Sequence, residues 1–239
     1  MSWLADQIYA VPKPGVINAF LAQPGLRDEL FLVKDLEGIQ FDWARQIFFS
    51  DAAPMEHRAK RHGLPDEGLL VVSPVIYKSG YDRNDSDASP FWQLFNKDGE
   101  EEENVKWSMI NGTDSIDVIL PSDIEGLSPP LGLLRFLKAL QQSTHSPLVY
   151  YYCQMWGGDV EVEVAWVFDH EDKVFRFIDD ETIETTTLSG KSIGEGDVLQ
   201  QAMRAVGLVL PTKYFALHTS FDWQRYWLGM NGSSFDFDK

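Results

Sequence analysis

Hydrophobic positions change their period along the chain, and those changes mark out the elements. Residues 16–22 (VINAFLA) predict a short helix, stopped by Pro24–Gly25, a pair that cannot continue one. Residues 26–34 carry both helix and strand signals. Phe41 to His62 reads as helical, with Pro54 placed to open a second segment, because proline is tolerated in a first turn. Gly68 to Tyr77 (GLLVVSPVIY) is β-branched and bounded by turn formers, which predicts a buried strand that Pro74 forces to an edge or to a bulge. Residues 79–90 are rich in Ser, Asp, Asn and Gly and predict an exposed loop, and a second polar tract runs from Asp98 to Asn104. Two short strands, 106–110 and 115–120, flank Asn111–Gly112, and their spacing leaves more loop than a tight hairpin needs.

The second half is more regular. Ser128-Pro129-Pro130 is expected to cap a helix reaching about Gln142, with Leu133, Leu134, Leu137 and Leu140 on one face, and Ser143 to Pro147 ends it. Leu148 to Met155 predicts a strand broken by Gly157–Gly158. Val160 to Phe168 follows, its odd-numbered Glu161 and Glu163 facing away from the apolar even-numbered residues. Lys173 to Ile178 returns as a hairpin partner, and 182–188 adds a further candidate strand. A helix from Asp197 to Val206 ends at Gly207, the residue type that best takes a left-handed cap. Residues 213–219 predict a last strand, and the tail from Gly232 is expected to be loosely held. The pattern is that of an α+β fold, a mostly antiparallel sheet with helices packed on one face. Residues 1–239 read as a single such domain, clearest over 128–219, with 1–127 extending it.

Composition narrows the function classes. With 37 acidic against 20 basic side chains the formal charge is −17, a field that repels phosphate backbones and anionic headgroups and attracts cationic partners. Nucleic acid and membrane are therefore not expected as partners. A basic protein is. Cys153 is the only cysteine, so no intrachain disulfide can form and a reducing compartment fits. The segment MSWLADQIYAVPKPG lacks the basic flank and apolar run of an export signal, and no stretch reaches the roughly 20 apolar residues that span a bilayer. A cytoplasmic location is expected.

Several motifs fail on inspection. Gly190-Lys191-Ser192-Ile193-Gly194 fits a nucleophile elbow, but Glu195-Gly196-Asp197 separates it from the helix an elbow opens into, although Asp197 and His218 follow in triad order. As a phosphate loop it has Thr185 where the leading glycine belongs. Asp82 to Asp87 imitates a calcium loop, with Asp87 in place of the turn glycine and Gln93 in place of the bidentate glutamate. His57 and His62 would sit about 140° apart on a helix, too far round to share a metal. His170-Glu171-Asp172 with Asp179, Asp180 and Glu181 reads as a solvated acidic turn. No metal or cofactor is expected.

The segment Tyr150 to Asp159 (YYYCQMWGGD) is the chemically unusual one. Consecutive aromatics on a strand project to both faces, which predicts that a tyrosine and Trp156 reach a surface made acidic by Asp159, Glu161 and Glu163. Rings beside carboxylates grip lysine and arginine. Tyr152, Trp156, Asp159, Glu161 and Glu163 are thus the candidate interaction residues of a non-enzymatic, inhibitor- or immunity-like protein, with burial of the ring stack in the core as the competing reading. Cys153, centred in that strand, is expected to be buried and inert. Phe221, Trp223, Tyr226 and Trp227 are expected to dock the final segment onto the core. The rival function is a hydrolase or small-ligand-binding protein whose site is assembled from distant residues, Ser192, His218 and His170 among them.

Overall fold

Strands form where β-branched and aromatic residues run together, and helices where apolar residues recur every three or four positions. The computed structural model describes residues 2–34, 64, 66–73, 77–78, 90–95, 107–111, 114–118, 129–156, 159–171, 174–180, 198–208 and 223–228. Its strands are β1 (Ser2–Ala10), β2 (Leu30–Val33), β3 (Leu69–Val72), β4 (Tyr77–Lys78), β5 (Trp107–Asn111), β6 (Asp114–Val118), β7 (Leu148–Trp156), β8 (Asp159–Phe168) and β9 (Val174–Asp180). Its α-helices are α1 (Pro14–Leu21), α2 (Pro90–Phe95), α3 (Leu131–Thr144) and α4 (Val198–Ala205). The main sheet runs β2-β3-β1-β7-β8-β9, with β4 also paired to β1, and every adjacent pair is antiparallel. The fold is α+β, as the sequence predicts.

The strand at the centre is the one the hydrophobic pattern does not announce. β1 pairs with β7 along its whole length, from Ser2↔Trp156 to Ala10↔Leu148, and takes β3 on its other side. Asp6 and Gln7 interrupt its apolar pattern, yet both are fully buried. Strand alternation then sorts the sheet's side chains into two cores. Ile8, Tyr150 and Trp166 join α1, α2 and α3 on one face, while Tyr9, Tyr151 and Ala165 join α4 on the other. The expected helix cover on one face is α1, α2 and α3. α4, together with the 3-10 turn Trp223–Tyr226, closes the opposite face as well.

The helix ends follow local chemistry. α1 begins at Pro14, within the first turn that proline tolerates. α3 ends on His145 in the left-handed conformation (φ 48°), and Gly207 takes the same region (φ 77°) just beyond α4, as predicted for that glycine. The residue before α3 is Pro130, which makes no side-chain capping bond; Ser128 lies outside the described residues. β5 and β6 form a separate two-stranded sheet whose last pair is Asn111↔Asp114. Only Gly112 and Thr113 lie between them, so this hairpin is tight, contrary to the longer loop expected from the spacing. The expected features at 41–62, 79–89, 98–104, 182–188 and 213–219, and the tail from Gly232, lie outside the described residues.

The second aromatic group docks as anticipated. Tyr226 is buried, Trp223 and Trp227 pack against the α4-side core, and Phe31 meets Trp223 edge-on with ring centres 5.8 Å apart. An isolated bridge between Phe31 and Trp227 extends pairing beyond β2. Phe221 lies outside the described residues. No helix among the described residues is long and apolar enough to cross a membrane.

Candidate functional site

The five candidate interaction residues do not form one open face. Tyr152 is 2% exposed in the core under α1 and α3, and its hydroxyl donates to Gln154 Oε1 at 3.2 Å. Glu163 is 3% exposed and lies on the α4 side, paired with Cys153. Both residues are therefore corrected from surface to interior, and to opposite sides of the sheet. The cause is the second layer: alternation turns Glu163 away from the α3 side as the sequence predicts, but α4 covers the side it faces. Trp156, Asp159 and Glu161 are placed by their backbones only. Trp156 pairs with Asp159 at the end of the β7–β8 hairpin. Gln154 pairs with Val162 and Met155 with Val160, one step on β7 against two on β8, so Glu161 is the extra residue of a β-bulge. That bulge breaks the alternation by which Asp159, Glu161 and Glu163 were expected to line up.

Beneath α4 the sheet carries a row of polar side chains that are distant in sequence. Gln7 and Tyr9 come from β1, Tyr151 and Cys153 from β7, and Glu163 from β8, and all are buried. Two hydrogen-bonded pairs lie within it. Tyr9 donates its hydroxyl to Gln7 Oε1 at 2.6 Å, and Tyr151 donates to Glu163 Oε1 at 2.7 Å. The first amide of α4, on Val198, donates to Glu163 Oε2 at 3.4 Å, so one carboxyl group ties the central sheet to a helix start that otherwise has an orphan donor.

Burial sets the protonation of this row. It pushes the Cys153 thiol well above its ordinary range, the nearby Glu163 adds to the effect, and hydrogen bonding with Tyr151 opposes it. The Tyr151 hydroxyl is raised first by burial, then by Cys153 and Glu163, and Tyr9 is raised by burial and by Cys153. A thiol held protonated is a poor nucleophile, so Cys153 is the inert buried residue the sequence predicts. The arrangement joins the start of α4 to β8 through Glu163.

A second irregularity lies next to this row. Along the same side of β1, Ile8 pairs with Val72 of β3 and Leu4 with Tyr77 of β4, four steps on β1 against five on the other chain segment. The pairing along β1 is therefore interrupted between β3 and β4; Pro74, where the sequence predicts an edge or a bulge, lies outside the described residues. Ser73 begins the interruption in the left-handed region (φ 56°), is fully buried, and donates its amide to the Glu29 carbonyl at 2.8 Å. Asp6 and Gln7, on the β1 stretch opposite, had no signal in the hydrophobic pattern beyond their polarity within an otherwise apolar run.

Of the remaining motif residues, few lie among the described ones. His170 is exposed in the turn after β8, where Asp169 Oδ1 accepts the Glu171 amide at 2.8 Å, the solvated turn expected there. Ser192, His218, His57, His62 and the 82–87 segment lie outside the described residues. Among the described residues no group of three or more His, Cys, Asp or Glu side chains could hold a metal. The chain matches no known protein family, no curated protein and no solved structure.

Proposed function

We propose that the chain is a non-enzymatic, cytoplasmic acidic protein that captures a basic protein partner, in the manner of an inhibitor or immunity protein. The observation that carries this reading is the net charge of −17 together with where the described acids lie. Among the described acidic side chains only Asp6 and Glu163 are buried, while Asp28, Asp66, Glu67 and Glu171 are exposed. The sheet is closed on both faces, so a partner meets the charged exterior. Such a field speeds encounter with cations and disfavours nucleic acid and anionic membranes. The buried, protonated Cys153 suits a reducing compartment and needs no oxidant.

The docking point in this reading is the tip of the β7–β8 hairpin, where Trp156 and Asp159 pair and Glu161 forms the bulge. Bulges re-aim side chains at working edges of sheets, and an aromatic ring between carboxylates is a receptor for lysine or arginine. The test is affinity capture from the source lysate at low and high salt, followed by binding measurements with the purified partner. A stoichiometric partner rich in Lys and Arg, released by salt, is expected. Asp159→Lys combined with Glu161→Lys should weaken its affinity roughly tenfold at low salt, with Tm unchanged. A neutral or acidic partner, or binding indifferent to both charge reversals, overturns the proposal.

A further inference from the structure

We draw no further inference here: the strongest candidate, the interruption of strand pairing beside buried Asp6, Gln7 and Ser73 at the centre of the sheet, is bordered by residues 74–76, which lie outside the described residues, and nothing in the structure shows what it would hold.

Discussion

The α3 side and the α4 side of the sheet use the same strands, since each strand sends alternate residues to each, but the two are filled by different means. On the α3 side the helices bring Leu133, Leu134, Leu137 and Leu140 against Ile8, Tyr150 and Trp166, an interface of shape and apolar area. On the α4 side Val198, Leu199, Ala202 and Met203 also pack, but over strands that carry Gln7, Tyr9, Tyr151, Cys153 and Glu163. α3 is long and buries four leucines, so apolar area supplies most of its hold. α4 has eight residues, and its start is tied to the sheet through Glu163. Each helix has a directional bond that helps fix its position: Gln141 of α3 donates to the Asp169 carbonyl at 2.7 Å, whereas in α4 it is the first amide that is bonded, to a buried carboxyl group of the sheet.

Removing packing on the α3 side gives the largest expected loss. Leu137 is fully buried in that core, and Leu137→Ala should cost about 2–5 kcal/mol, measured by urea unfolding, because neighbouring side chains refill the cavity only partly. A loss below about 1 kcal/mol would mean that the leucine face is loosely packed, and the contrast between the two sides would disappear.

The α4 side should respond to loss of hydrogen bonding in addition to loss of volume. Glu163→Leu fills the same space with an apolar side chain but removes the acceptor of the Tyr151 hydroxyl and the Val198 amide, at about 1–3 kcal/mol for a buried donor that loses its acceptor. Adding Tyr151→Phe removes one of those donors, so the double variant should be more stable than the sum of the two single losses predicts. That coupling is read from a double-mutant cycle. Strict additivity would show that Glu163 only fills space.

These dependences bear on what was readable from the residues alone. α3, α4, β7, β8 and β9 have clean periods, and their extents follow from the spacing of Leu133 to Leu140 and of Val162 to Phe168. β1 does not. Asp6 and Gln7 resemble a loop or an exposed face to any argument from hydropathy, and their burial depends on β7 and on two helix layers far along the chain. The same non-local cause hid the interior position of Glu163. Alternation gives the side of a strand that a residue occupies, whereas whether that side is wet depends on a helix 35 residues later. The bulge at Glu161 was equally silent, because an extra residue in one strand is defined only by the register of its partner. Of the proposed interaction residues, then, the sequence supplied their chemistry and not their accessibility.

Alkaline pH should separate the two sides by the smallest margin. The Cys153 thiol, ordinarily near 9.0, and the Tyr9 and Tyr151 hydroxyls, ordinarily near 10.0, are all raised in the folded chain, and all three belong to the α4 side. The unfolded chain therefore releases these protons first. Stability from this source is fully present below pH 9 and is lost as pH rises from there toward the folded values. For Cys153 the loss by pH 9.5 should be under about 1 kcal/mol. Cys153→Ala should flatten the first part of that decline, whereas Leu137→Ala should lower the whole curve without changing its slope. In the native protein Cys153 should also resist a thiol-labelling reagent at pH 8.5 and react once denaturant opens the α4 side. Labelling of the native chain at the rate of a free thiol, or a decline unchanged in Cys153→Ala, would place the α4-side row in contact with solvent and remove the distinction between the two cores.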